Sequence, residues 1–243
     1  MTNGTAPQDS TEAAARECVV SLIASLADNK AALGRAYADW GVSAPTLESA
    51  VAAAAMAQDE LGHARSTYPV LKALAPDLAD DGEVETGRNL ALLDRELPDW
   101  TSLVAANLVI DGFLTTFVAS CAESSIPQLA QRARKILQEE RSHRIHAEAW
   151  LRRLCRAGER QRSLMIERVQ EAWDHAARWI GPDDDPGLLG AIEFGMLDRG
   201  AADQREVMRE WLAGSLAAEE VTIELEEPRE WSQWDPERRR WSP

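Results

Sequence analysis

The sequence predicts an all-α protein, a four-helix bundle with additional C-terminal helices, and three observations carry that reading. Ala and Leu dominate the apolar residues while β-branched and aromatic runs are sparse, which favours helix over sheet. Apolar residues recur at helical spacing over long stretches. Two Glu-x-x-His pairs, Glu60/His63 and Glu140/His143, each put an acid and an imidazole on one face of a helix, so that both side chains reach one point.

The elements come in order. Residues 1–9 are small and polar and are expected to be disordered. Ser10 is placed to cap a first helix from Thr11 to Trp40, with Cys18, Leu22, Leu26, Leu33 and Tyr37 at helical spacing and Gly41 at its end. Thr46 caps a second helix that runs through Val51, Met56, Glu60 and His63 towards Leu74, with a kink or early end expected at Pro69. The acidic segment 77–87 reads as a loop, and a short helix is expected over 88–96. A third main helix runs from Asp99 or Thr101 to Glu123, with Leu103, Leu108, Asp111, Leu114 and Val118 on its inner face. Ser124 to Pro127 starts a fourth helix, which has no breaker before Gly158. A fifth is expected from Glu159 to Ile180, then a Gly/Pro/Asp turn and one or two shorter helices to Ala218. These elements form one bundle domain, 10–218. The charged segment 219–243, with Trp231, Trp234 and Trp241, is either an arm over the body or a partner-binding tail; the arm is favoured because three free exposed indoles would be sticky.

Composition narrows the function. A net charge of -15 over 243 residues argues against nonspecific nucleic-acid binding. Local basic clusters at Arg132/Arg134/Lys135 and Arg152/Arg153/Arg156 read first as solvated helix faces and second as contacts for an anionic group. Cys18, Cys121 and Cys155 are odd in number and scattered, as buried thiols of a reducing compartment would be. No signal segment is visible and no apolar run approaches membrane-spanning length, so a cytoplasmic protein is expected. No phosphate loop, GxGxxG or Ser-His-Asp set is present, and interest stays with the carboxylates and histidines.

Depth sorts the candidate ligands. Side chains on antiparallel helices meet only when they lie equally far from the turn that joins them. Asp28 lies thirteen residues before Gly41 and Glu60 fourteen after Thr46, each about 20 Å from the turn, whereas Asp39 would lie near the rim. In the second hairpin Asp111 precedes Glu123 by twelve and Glu140 follows Ser125 by fifteen. The expected set is therefore Asp28, Glu60, His63, Asp111, Glu140 and His143, one lone carboxylate and one Glu-His pair from each half. Burying four carboxylates without counter-charge is very costly, and two metal ions would offset it. Oxygen and imidazole donors suit iron, or manganese, better than structural zinc. Alternatives stay open: Glu139 competes with Glu140, and Asp59 with Glu60 unless it hydrogen-bonds a ligand histidine. His146 reads as a neighbour of the site or a surface group, and His175 as exposed.

The stretches Asp28 to Gly34, Ala44 to Glu48, Ala57 to Arg65, Glu96 to Trp100, Phe113 and Pro127 to Ala130 resemble the ferritin-like subunits of the multicomponent phenylacetyl-CoA epoxidase of aerobic phenylacetate breakdown. The resemblance covers roughly residues 20–180 and is closer overall to the structural subunit than to the catalytic one. It implies a ferritin-like bundle, and for the catalytic type a di-iron site that epoxidises the ring of a CoA thioester; the structural type has lost its ligands. Both Glu-x-x-His pairs are intact here, which resembles the catalytic pattern, while Asp at 28 departs from the more common Glu.

The leading expectation is a di-iron oxygenase that activates O2 to hydroxylate or epoxidise an organic substrate, by analogy a CoA or carrier thioester, with electrons from a separate reductase. Arg132, Arg134, Arg152, Arg153 and Arg156 would be candidate phosphate contacts. A homologous partner, within a homo- or hetero-oligomer, is expected with it. The alternatives are a metal-free structural subunit that docks a homologue and a standalone di-iron oxidase of specialised metabolism.

Overall fold

The computed structural model describes residues 6–76 and 87–242, with side chains from Ser10 onward. Helix α1 (Ala6–Gly41) and α2 (Leu47–Leu74) make the first hairpin, and Thr46 Oγ1 accepts from Ser49 N at 3.2 Å to cap α2. α1 starts before the expected cap at Ser10, because Pro7 falls in its first turn, where a missing N–H costs nothing. α2 passes through Pro69 and ends at Leu74. The expected loop lies outside the described residues except for Gly87. The short helix expected at 88–96 is reduced to a 3-10 turn, Ala91–Asp94. Its leading backbone groups are bound elsewhere: Leu90 N donates to Asn29 Oδ1 at 2.9 Å, and Arg88 O accepts from Ser25 Oγ at 2.6 Å.

The second hairpin begins with α3 (Trp100–Ala105), capped by Asp99, whose Oδ1 accepts from Ser102 N at 2.7 Å. It continues through a π-helical turn (Ala106–Asp111) into α4 (Gly112–Ser120), then returns as α5 (Pro127–Arg156). Contrary to the sequence reading, Trp100–Ser120 is long and apolar enough to cross a membrane, but 83% of that window is buried inside the protein. It is the central rod of the core: Leu103, Leu108, Leu114 and Val118 are buried in one apolar cluster with Leu22, Leu26, Leu33 and Tyr37 of α1.

α6 (Glu159–Trp179) covers this rod through aromatic pairs, Phe113 with Trp173 and Phe117 with Trp179, at 5.2 and 5.4 Å between ring centres. α7 (Pro186–Glu193) lies on the start of α1, where glycine is required: a Cβ at Gly187 would meet Cys18 Cβ at 2.7 Å. α8 (Ala201–Ala217) packs on α4. The last residues fold back over α1 and α6, ending in a two-stranded hairpin, β1 (Trp234–Asp235) with β2 (Arg240–Trp241). Arg239, buried between the strands and the body, donates to Ile180 O and to Asp185 Oδ2 at 2.7 Å. Trp241 lies under the Arg178 guanidinium, 4.1 Å away. The fold is all-α and ferritin-like. Cys18, Cys121 and Cys155 are buried free thiols.

Candidate metal centre

Three helices, α1, α2 and α5, and the π turn converge on one buried cluster. Ligand atoms of Glu60, Asp111, Glu140 and His143 lie within 4.8 Å of one another, and His63 Nδ1 is 3.1 Å from Glu140 Oε1. Asp111 is the last residue of the π turn, where one extra residue rotates the downstream side chains by about 100° around the axis. Asn107, one turn earlier, donates to its Oδ2 at 3.2 Å. Asp28 stands outside this group. It is buried on another side of α1, facing the Arg88 backbone and Arg35, and burial pushes its carboxyl up to about 6. Asp39 is exposed.

The place on α1 that faces the cluster belongs to Lys30, fully buried. Its ammonium donates to Asp111 Oδ1 at 2.5 Å, to Glu140 Oε1 at 2.5 Å and to Glu60 Oε1 at 3.1 Å. Two residues separate it from Asp28, about 200° around a helix. Depth thus picks the correct level of α1 and is blind to azimuth. The missed signal is in the apolar stripe itself: position 30 continues the series Leu26, Leu33, Tyr37, so a lysine there must point inward.

The histidines are held across the bundle. His63 Nε2 of α2 bonds Glu139 of α5 at 2.8 Å, and His143 Nε2 of α5 bonds Asp59 of α2 at 3.3 Å. The acid preceding each glutamate therefore orients the opposite histidine, and both acids are 42% exposed while both imidazoles are buried. With the carboxylate as acceptor, a proton sits on Nε2 and Nδ1 turns to the cluster. His146 packs edge-on to Trp100, and burial, with His143 nearby, lowers its pKa. His175 is half-buried rather than exposed, because Trp241 of the tail covers it at 5.3 Å.

Charge is balanced by proximity. Burial works to lower the Lys30 pKa, but Asp111, Glu140 and Glu60 hold it well above the ordinary lysine value. Burial likewise opposes charge on His143, and the surrounding Asp111, Glu140 and Glu60 push it up to about 12. Burial, with Asp111 beside it, raises Glu60 to about 7. Burial would raise Glu140 too, but Lys30 and the two imidazoles outweigh it and hold the carboxyl well below the usual range. Tyr37, one turn beyond the stripe's Leu33, keeps its phenol proton because of burial and the same three carboxylates.

The sequence model of a protein family described as phenylacetic acid catabolic protein matches residues 1–243. The chain belongs to this family. It is 26% identical over 211 residues to one component of the 1,2-phenylacetyl-CoA epoxidase of Escherichia coli (strain K12), covering 82% of this chain and 81% of that protein. It is 23% identical over 185 residues to a second component of the same enzyme and organism, covering 74% of this chain and 59% of that protein.

The donor set of this family member fits a metal centre. Glu60 Oε2, Glu140 Oε2, His63 Nδ1 and His143 Nδ1 are buried and, among the described residues, make no hydrogen bond. His143 Nδ1 is 3.2 Å from Glu60 Oε1 and 3.4 Å from Asp111 Oδ2, near both and aligned with neither. Such an arrangement suits a shared cation, which several donors approach at once, better than a proton, which has one line. Of the expected set, Glu60, His63, Asp111, Glu140 and His143 lie together and Asp28 does not, and Lys30 takes the α1 position that faces them.

A cavity of about 320 Å³ opens on the cluster between α4, α5 and α8, with Asp111 and Glu140 at its floor and Thr116, Leu137 and Met208 among its walls. Of the five arginines singled out in the sequence, four have partners of their own. Arg152 and Arg156 pair with Glu219 at 3.3 and 2.7 Å, Arg153 stacks on Trp150, and Arg134 reaches Glu123 at 3.4 Å.

Proposed function

We propose that this chain is a metal-carrying subunit of an O2-dependent oxygenase assembly of phenylacetate breakdown. About two iron ions, with manganese as the substitute, would be held by Glu60, His63, Asp111, Glu140 and His143. The observation that carries the reading is the pair of crossed histidines, each fixed at Nε2 by an acid and turning towards the carboxylates an Nδ1 that makes no hydrogen bond. When bound, such metals supply the reduction of dioxygen that no side chain can perform. The protein's own groups do the rest. Glu139 and Asp59 fix imidazole tautomers, the apolar walls of the cavity exclude water, and Tyr37 holds a proton beside the carboxylates. The substrate is an organic molecule, by the names of the relatives an acyl-CoA, hydroxylated or epoxidised with electrons from a separate reductase. A homologous subunit is the expected partner, and the three buried free thiols fit a reducing cytoplasm.

Lys30 favours a second reading, a metal-free structural subunit of such an assembly, because its ammonium already supplies a cation to three carboxylates. Anaerobic Fe(II) titration of the purified chain separates the two. Uptake of about two irons per chain, with an absorption change on O2 addition, supports the oxygenase; less than about half an iron per chain in both the native protein and Lys30→Leu leaves the structural reading standing.

A further inference from the structure

The cavity above the cluster has a neighbour. A second cavity, of about 340 Å³, continues the same groove between α5 and α8 towards Glu219. Along α8 and its C-cap Ala218, Val207, Met208, Glu210, Trp211, Gly214 and Ser215 line the two cavities, recurring at helical spacing. Among the described residues, Arg144 and Trp211 alone line both compartments. The inner one has its rim at Arg141 and Val207, the latter 40% exposed.

Trp211 is held where it stands. Its Nε1 donates to Glu148 Oε1 at 2.9 Å, Arg144 Nε donates to the same oxygen at 3.1 Å, and the Arg144 guanidinium stacks on the indole, 4.4 Å from the ring centre. Each arm is modest at this exposure, but a closed triangle of hydrogen bond, ion pair and cation–π contact fixes one rotamer. The inner edge of the ring packs over the backbone beside Asp111: a Cβ at Gly112 would meet Trp211 Cζ3 at 3.2 Å and Met208 Cε at 2.6 Å. Glycine at 112 is what lets the indole come this close.

The geometry points to Trp211 as the selectivity wall of one ligand channel, dividing an inner apolar chamber on the carboxylate floor from an outer groove that carries the charged side chains Arg152, Glu210 and Glu219. Clamped by Arg144 and Glu148, it limits the size of the apolar group that reaches Asp111 and Glu140. The ligand class is an extended organic molecule whose apolar end fills the chamber. Calling that ligand a substrate rests on the oxygenase reading; the wall itself does not.

The test needs no metal and no activity. Thr116→Cys places a thiol in the chamber wall, where its rates of modification by methyl and benzyl methanethiosulfonate are measured, with the unsubstituted chain as background. Trp211→Ala in that protein is expected to raise the benzyl-to-methyl rate ratio about tenfold. Glu148→Ala, which frees the indole without deleting it, is expected to raise it by a smaller factor and covers the case in which Trp211→Ala does not fold. A rise of at least about threefold in either variant supports the wall, and a smaller change in both overturns it. Iron content is read on the same proteins. A size-dependent ratio in chains that take up no iron upholds the wall and removes the oxygenase, and iron uptake with a fixed ratio does the reverse.

Discussion

The two hairpins of the bundle are alike in their second helices and opposite in their first. α2 and α5 each give a Glu-x-x-His pair preceded by an acid, and the two sets are exchanged across the bundle, Asp59 to His143 and Glu139 to His63. The α1 hairpin then contributes Lys30 where the α4 hairpin contributes Asp111, and these two bond directly to each other. The pseudo-twofold is thus kept wherever a histidine must be oriented and broken where charge must be balanced. One lysine supplies a buried counter-charge to three carboxylates that would otherwise need another cation beside them.

The largest effect expected from breaking this arrangement is on metal uptake. His143→Ala or Glu60→Ala should abolish Fe(II) binding in anaerobic titration, because each removes a buried donor at the shared centre. Retained binding in either variant would end the oxygenase reading.

Removing the broken symmetry comes next. Lys30→Leu leaves Glu60, Asp111 and Glu140 without their buried counter-ion and should cost about 3–5 kcal/mol in metal-free denaturant unfolding. Added Fe(II) or Mn(II) should recover that loss if metal and ammonium compete for the same carboxylates. Lys30→Glu extends the comparison, since it would restore a carboxylate to both first helices, and it should raise metal affinity.

Sharpening the symmetric half gives a smaller change. Asp59→Asn and Glu139→Gln should each weaken metal binding about 10–100-fold without abolishing it. The two acids are equally exposed and each holds a buried ring, so unequal losses would mean that the two histidines are not equivalent in metal binding.

The smallest effect lies on α1 itself. Burial raises the Asp28 pKa from 3.8 to about 6 in the fold. The folded protein therefore prefers the protonated form, and stability from this group is complete below about pH 3.8 and declines as pH rises to about 6. Asp28→Asn should abolish that decline and stabilise the protein at pH 7 by about 1 kcal/mol after allowance for partial solvent screening, measured as the slope of unfolding free energy from pH 4 to 7.

By itself the sequence determined the helices, their order and the inward faces carrying Glu60, His63, Asp111, Glu140 and His143, because helical periodicity and equal depth from a turn are properties of spacing along the chain. Lys30 was legible in the same stripe as Leu26, Leu33 and Tyr37, yet a lysine's charge argues for the surface until three carboxylates are seen around it. Only the tertiary structure decided that Asp28 faces away, since two residues along a helix become about 200° around it. It also decided the crossed pairing of Glu139 and Asp59, which joins residues 76 and 84 positions apart, and the seat of the Trp-bearing tail, whose Arg239 and Trp241 find partners on α1 and α6. The π turn that carries Asp111 into the centre belongs with these. An extra residue in one helical turn leaves no mark on composition, and its cost is met only by what the displaced side chain then touches.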